Sequence, residues 1–161
     1  MRFLCCCFIL TIYAVLVSAY SETRPDRCSK PPESGNCRAY IPTWYFDSNT
    51  TRCRMFVYGG CGGNDNQFLS EKKCQSVCLA SWQRERVCSP KPKLGDCNIP
   101  SYFWYFDPVS ATCHRYKRGL CARSCNKYPS CQQCMAICTN MDFRQVCRSL
   151  MESEPGPGGP E

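Results

Sequence analysis

Residues 53–78 read CRMFVYGGCGGNDNQFLSEKKCQSVC, and this stretch decides the fold of the segment around it. The aromatic run that ends at Tyr58 is typical of a β-strand. The pair Gly59-Gly60 interrupts that strand. Ser70 is a good helix N-cap, and Glu71 follows it near the positive end of the helix dipole. The stretch therefore predicts a strand, a glycine-rich loop and a short helix.

Upstream of this stretch lies the other half of a hairpin. Ile41–Asp47 is rich in aromatic residues, residues 48–51 form a turn cluster, and Arg52–Tyr58 is the returning strand. Cys74 and Cys78 are four residues apart, so both project from one face of the helix. We expect that face to point at the hairpin.

The whole pattern recurs 60 positions later, which predicts two copies of one module. Trp44-Tyr45-Phe46-Asp47 returns as Trp104-Tyr105-Phe106-Asp107. The six repeated cysteines are Cys28, Cys37, Cys53, Cys61, Cys74 and Cys78, matched by Cys88, Cys97, Cys113, Cys121, Cys134 and Cys138. Module 1 is thus 28–78 and module 2 is 88–138. They are joined by a linker, 79–87, preceded by an N-terminal segment, 20–27, and followed by a tail, 139–161, that we expect to be disordered from about 153.

The composition indicates an oxidising compartment, because 18 of 161 residues are cysteine. Residues 1–19 are interpreted as a signal peptide, since an apolar run from Phe3 to Val17 ends in small residues before Ala19. A membrane anchor is the alternative, but the run is shorter than the ~20 residues that a span needs. No later segment is apolar enough to span a bilayer, so the protein is predicted to be secreted.

The net charge of +7 is too small and too scattered to indicate nucleic-acid binding. Module 2 concentrates it, with seven basic and two acidic residues. A solvated strand explains this basic segment without a function. The functional alternative is a contact with a protein exosite, a sulfated glycan or an anionic membrane surface. Its candidate residues are Arg115, Lys117, Arg118, Arg123 and Lys127.

The six cysteines are separated by 8, 15, 7, 12 and 3 residues, and with the shared aromatic and glycine positions they resemble the Kunitz family of pancreatic trypsin inhibitor. Spacing alone allows 15 connectivities for six cysteines. The resemblance implies a small disulfide-rich α+β fold, in which each module is a twisted β-hairpin with a short C-terminal helix. It also implies pairing of the first cysteine with the sixth, the second with the fourth and the third with the fifth. The implied pairs are Cys28 with Cys78, Cys37 with Cys61, Cys53 with Cys74, Cys88 with Cys138, Cys97 with Cys121 and Cys113 with Cys134.

In this family the residue after the second cysteine enters the specificity pocket of a serine protease. The resemblance therefore implies a reactive bond between Arg38 and Ala39, with the long cation suited to a pocket that has an aspartate at its base. The implied protease-contact loops contain Gly35, Asn36, Cys37, Tyr40, Ile41, Val57, Tyr58, Gly59 and Gly60. Tyr40 and Ile41 would contact the leaving-group side.

Module 2 departs from this inhibitory pattern. Its bait position is Asn98, Ile99 is β-branched where Ala39 is small, and Leu120 replaces Gly60. Arg118 stands where module 1 has Tyr58. We therefore expect module 2 to bind its partner outside a protease active site.

After the predicted signal peptide, which itself contains Cys5, Cys6 and Cys7, three further cysteines lie outside the sixfold pattern. Cys125 and Cys131 are close in sequence, and we predict that they pair. Cys147 is then left over, either as a free thiol, in an intermolecular disulfide, or as a competitor for one of those two. Cys131 and Cys134 also form a C-x-x-C pattern, but with a single histidine in the chain we predict no metal site.

Asn49 heads an Asn-Thr-Thr glycosylation sequon in the predicted hairpin turn, at the end opposite Arg38. We find no enzyme motif and predict no cofactor. The leading interpretation is a secreted inhibitor of trypsin-like proteases, similar to the two-Kunitz salivary anticoagulants of ticks (the ixolaris-like group) and to tissue factor pathway inhibitor. That similarity suggests a clotting protease such as factor VIIa or Xa as the target. The alternative is a ligand of an ion channel or receptor, like some Kunitz toxins.

Overall fold

Module 1 is built on an antiparallel hairpin, in a computed structural model that describes residues 24–94, 103–117 and 120–153. Strand β1 (Ile41–Asp47) pairs with β2 (Arg52–Tyr58), in a register that runs from Ile41 opposite Tyr58 to Asp47 opposite Arg52. The helix α1 (Glu71–Cys78) begins after Ser70, whose hydroxyl accepts a hydrogen bond of 3.1 Å from the Lys73 amide. This N-cap is the one expected from the sequence.

Module 2 repeats this plan with shorter strands. Its elements are β3 (Lys93–Leu94), β4 (Trp104–Asp107), β5 (Thr112–Arg115), β6 (Leu120–Cys121) and the helix α2 (Cys131–Cys138). β4 pairs with β5 as the hairpin, and β3 pairs with β6 in a separate two-stranded ladder. Short 3-10 helices at Asp26–Ser29 and Ser81–Gln83 flank module 1. Both modules thus have the small disulfide-rich α+β fold that the sequence predicts.

A buried asparagine fixes the hairpin in each module. The Asn66 amide group accepts a hydrogen bond of 2.9 Å from the Phe46 amide and donates one of 2.9 Å back to the Phe46 carbonyl. Asn126 does the same for Phe106, with both distances 2.8 Å. Both side chains are fully buried and lose their contacts with water. The hydrogen bonds to the backbone replace those contacts.

Several predicted signals fall outside the described residues. These are the signal peptide (1–19), Asn98, Ile99, Arg118, the bridge from Cys97 to Cys121, and the end of the tail from 154. The remaining five implied pairs are present: Cys28–Cys78, Cys37–Cys61, Cys53–Cys74, Cys88–Cys138 and Cys113–Cys134. Cross-links at this density stabilise modules that are too small for a large hydrophobic core.

The predicted pair of Cys125 with Cys131 is wrong. Cys131 instead bonds Cys147, with 5.7 Å between their α-carbons. The tail between them forms a helix, α3 (Phe143–Ser153), whose apolar side packs on the core and carries Cys147 to the start of α2. Within the described residues Cys125 is a free, exposed cysteine, and its thiol lies 3.0 Å from a carboxylate oxygen of Glu85 in the linker.

The Glu85 carboxylate also affects the chemistry of the free thiol. The hydrogen bond to Glu85, together with its negative charge, raises the pKa of the Cys125 thiol. A raised pKa lowers the fraction of thiolate, which is the reactive form. Cys125 is therefore poorly placed to attack a neighbouring disulfide.

The two modules share one hydrophobic core. Trp44 of module 1 meets Phe106 of module 2 edge to face, with 6.3 Å between the ring centroids. Arg54 lies at this junction, where its guanidinium donates to the Ala136 and Thr139 carbonyls of module 2 and, at 2.8 Å, to the Asp47 carboxylate. Burial opposes ionisation of Asp47, but hydrogen bonds to Arg54 and its other neighbours outweigh it and lower its pKa.

A second junction centres on Glu71, which is only 1% exposed. One carboxylate oxygen accepts hydrogen bonds from the Val87 and Cys88 amides at 3.0 and 3.2 Å. The other accepts one from the Ser89 amide at 2.8 Å. The residue expected merely to favour the helix dipole therefore holds the first residues of module 2 against module 1.

Among the described residues, no helix combines the length and the apolar character needed to cross a bilayer.

We predict that peptide mapping of the unreduced protein recovers Cys131 linked to Cys147, with Cys125 carrying the alkylating reagent. The structural reason is that α3 brings Cys147 to Cys131 while Cys125 faces Glu85. A Cys147→Ser variant is the control, because it should lose that one linked peptide and keep the others. A peptide that links Cys125 to Cys131 in the wild type would contradict this assignment.

We predict that Glu71→Gln lowers the free energy of unfolding by about 2 kcal/mol, because an amide nitrogen would face a buried backbone N–H. Guanidinium unfolding with the disulfides intact measures the change. Glu152→Gln is the matched control, since it makes the same substitution at an exposed position of α3. Equal unfolding midpoints for the two variants would refute the role assigned to Glu71.

Candidate functional site

Two loops at one end of module 1 lie side by side. The first is residues 35–41, and the second is residues 57–60 at the end of β2. The Ala39 amide donates to the Gly59 carbonyl at 2.9 Å, and the Gly59 amide donates to the Ser34 carbonyl at 2.8 Å. The disulfide between Cys37 and Cys61 joins the same two segments, with 5.4 Å between their α-carbons. The first loop is therefore held on both sides of Cys37.

Side chains reinforce the second loop. The Ser34 hydroxyl donates to the Val57 carbonyl at 2.8 Å, and the Tyr58 hydroxyl donates to the Gly62 carbonyl at 2.9 Å. Val57 and Tyr58 are both half-buried.

Two glycines permit the close approach of the loops. A β-carbon on Gly59 would lie 2.1 Å from the Cys37 carbonyl oxygen, which no side chain can do without moving the loop. Gly60 has φ +100°, a conformation that favours glycine, and a β-carbon there would lie 3.2 Å from that of Ala39.

The first loop exposes the residues expected to meet a partner. Asn36, Arg38 and Ala39 are all exposed, and no hydrogen bond or ion pair holds the Arg38 side chain within the described part of the chain. Tyr40 is 62% exposed and Ile41 is 44% exposed. The backbone of this loop is held in place, and it presents the Arg38 cation followed by the apolar side chains of Tyr40 and Ile41. Arg38 can therefore enter a deep pocket without reordering of the loop.

The equivalent region of module 2 is built differently. Leu120, the counterpart of Gly60, lies in β6, opposite Leu94 of β3. Module 2 therefore has a leucine side chain and a strand where module 1 has a glycine-rich loop, so the surfaces of the two modules differ here.

The basic residues of module 2 divide into two groups. The Arg115 guanidinium is half-buried and stacks 5.5 Å from the centroid of the Trp104 ring, so it belongs to the packing of the hairpin. Lys117, Arg123 and Lys127 are exposed. Lys127 holds its ammonium group 5.2 Å from the Phe103 ring, which leaves its charge at the surface.

Asn49 lies in the turn between β1 and β2, at the opposite end of the hairpin from Ile41 and Tyr58. Its side chain is exposed, and its backbone amide donates to the Asp47 carboxylate at 3.0 Å. A glycan on Asn49 would therefore project away from the 35–41 loop.

Sequence reasoning missed one neighbour of the first loop. The Tyr40 hydroxyl lies 3.9 Å from the Met141 sulfur, which belongs to the loop between α2 and α3. The signal that could have found this region is the apolar spacing of Phe143, Val146, Cys147 and Leu150. That spacing is typical of an amphipathic helix and contradicts a featureless tail.

Comparison with known proteins gives one family for both modules. The model of the Kunitz/bovine pancreatic trypsin inhibitor domain matches residues 27–79 and 87–139. Amblin from Amblyomma hebraeum is 40% identical over 142 residues, which cover 88% of this chain and 86% of Amblin. Doenitin-1 from Haemaphysalis doenitzi is 34% identical and covers 80% of this chain and 97% of its own length. Tissue factor pathway inhibitor 2 from Bos taurus is 35% identical over 76% of this chain and 52% of its own.

Proposed function

Since the chain belongs to the Kunitz/bovine pancreatic trypsin inhibitor domain family, we propose that it is a secreted inhibitor of trypsin-like serine proteases. In this proposal Arg38 of module 1 enters the specificity pocket of the protease, and the chain is not itself an enzyme. The carrying observation is that Arg38 is exposed on a loop fixed by the Cys37–Cys61 disulfide and has no side-chain partner among the described residues.

The chemistry of Arg38 supports this choice of target. A guanidinium presents a planar set of donors that matches a carboxylate, and the match is strong when the pair is buried. Proteases with an aspartate at the base of the pocket offer that carboxylate. The small side chain of Ala39 leaves room for the catalytic serine next to the bond.

Rigidity makes the bound loop an inhibitor instead of a substrate. The protease serine attacks the Arg38 carbonyl carbon, and the oxyanion hole stabilises the charge on its oxygen. If the bond to Ala39 breaks, the new amine stays in place because Ala39 is hydrogen-bonded to Gly59 and continues into β1, while the Cys37–Cys61 disulfide holds the Arg38 side of the break. Religation then competes with hydrolysis.

A clotting protease such as factor VIIa or Xa is the target that we propose, which would make the protein an anticoagulant. This step is by analogy, since one relative bears the name tissue factor pathway inhibitor 2. Secretion is supported by the density of disulfides in the described residues, because such cross-links persist in oxidising compartments. Asn49 is then available for glycosylation.

We further propose that module 2 binds its partner away from the active site, through a protease exosite or a sulfated glycan. Lys117, Arg123 and Lys127 supply exposed positive charge, and the module carries an excess of five. Exposed charges of this kind accelerate encounter with an acidic surface more than they add affinity.

We predict that Arg38→Ala weakens trypsin inhibition at least about a thousandfold, since a central charged anchor is worth about 4 kcal/mol or more. The inhibition constant measures this change. Asn98→Ala is the matched control, because it truncates the corresponding position of module 2, and it should stay within about twofold. An unchanged inhibition constant for Arg38→Ala would overturn the proposed function.

We predict that the double variant Arg123→Gln, Lys127→Gln slows association with a clotting zymogen or with heparin. The zymogen lacks a formed active site, so binding to it reports an exosite. Lys72→Gln, Lys73→Gln is the control, since it removes two exposed charges from α1 of module 1. The difference between the two variants should shrink as salt screens the charges over about 8–10 Å. Equal association rates at low salt would refute this role of module 2.

A further inference from the structure

The loop that leaves α2 runs along the edge of the module 1 hairpin. Thr139 forms a parallel bridge with Met55 of β2, and the Asn140 amide donates to the Met55 carbonyl at 3.0 Å. A parallel bridge means that the loop and β2 run in the same direction. Since β2 ends beside the 35–41 loop, residues 139–142 are carried toward that loop.

Two further contacts fix the course of these residues. The Arg54 guanidinium of module 1 donates to the Thr139 carbonyl, and the Met141 amide donates to the Thr139 hydroxyl at 3.2 Å. The Asp142 carboxylate accepts a hydrogen bond of 3.0 Å from the Arg144 amide at the start of α3. Met141 is therefore held between a bridge to module 1 and the first turn of a disulfide-anchored helix.

This course brings Met141 to the leaving-group side of the reactive bond. Its sulfur lies 3.9 Å from the Tyr40 hydroxyl, and Tyr40 is the second residue after Arg38. Tyr40 and Ile41 are both exposed large apolar side chains, and Met141 is half-buried beside Tyr40. Tyr40 belongs to the 35–41 loop of module 1 and Met141 to the tail that follows module 2.

We infer that the tail after module 2 completes the protease-contact surface of module 1, with Met141 and Tyr40 together meeting an apolar surface of the protease on its leaving-group side. The inference rests on the proposed function and deepens it, because it assigns a selectivity-determining residue to the tail that follows the divergent module. The partner it fits is a trypsin-like protease with an apolar, uncharged surface next to the position where Ala39 binds.

The chemistry of the two side chains suits this role. Methionine is flexible and polarizable, and its thioether makes favourable contacts with aromatic rings and adapts to irregular apolar surfaces. Tyrosine is enriched among the residues that dominate binding at interfaces. The contact with Met141 also limits the freedom of the Tyr40 side chain before the protease arrives, which lowers the entropy cost of binding.

The test first measures the inhibition constants of the full wild-type chain for trypsin and for factor Xa. The protease that the wild type inhibits more tightly is then used to compare the variants. Met141→Ala should weaken that inhibition about three- to tenfold. Met151→Ala is the matched control, since Met151 lies near the far end of α3 and is 50% exposed, and it should change inhibition less than about twofold. Met141→Leu keeps the apolar bulk and should restore inhibition to within about twofold of the wild type.

The remaining outcomes separate this inference from the proposed function. If Arg38→Ala abolishes inhibition but Met141→Ala changes it less than twofold, the tail after module 2 takes no part in the contact and this inference alone fails. Stronger inhibition by Met141→Ala would also overturn it, because Met141 would then obstruct the protease. An effect of Met151→Ala equal to that of Met141→Ala would show a general loss of packing. If the wild type inhibits neither protease, both proposals fail together.

Discussion

The buried carboxylate of Glu71 holds the start of module 2 against module 1. Its two oxygens accept hydrogen bonds from the backbone amides of Val87, Cys88 and Ser89, where the linker enters module 2. With that segment fixed, the Trp44 ring meets Phe106 and the loop after α2 reaches β2. A carboxylate without these donors would be costly to bury, so the arrangement satisfies the charge and orients the chain at the same time. In the same arrangement Met141 lies beside Tyr40 of the 35–41 loop.

One scaffold therefore carries two different surfaces. In module 1 the close contact of Gly59 with Cys37 gives the exposed loop a fixed backbone, and Arg38 is displayed on it. In module 2 the counterpart of Gly60 is a leucine in a strand, while the buried asparagine and the disulfides between hairpin and helix are retained. Stability and recognition are thus supplied by separate residues, which leaves the surface of module 2 free to differ.

The hairpins, the helix starting after Ser70 and the loop around Arg38 were predictable, because each depends on local residue patterns that occur twice in the chain. The partner of Cys131 was not, since it depends on a tail helix whose apolar spacing was overlooked. The joint at Glu71 was also missed. An acidic residue in the first turn of a helix is already explained by the helix dipole. The backbone amides that donate hydrogen bonds to Glu71 lie 16 or more residues away in the sequence.

The start of the helix serves the same purpose in both modules by different chemistry. Glu71 and Cys131 occupy equivalent positions, and each holds chain that lies 16 residues further on: Val87 through a hydrogen bond and Cys147 through a covalent bond. On module 2, the helix α3 therefore occupies the position that the first residues of module 2 occupy on module 1. As in the terminal repeats of a stacked array, a helix here covers the surface of module 2 that corresponds to the surface of module 1 against which module 2 packs.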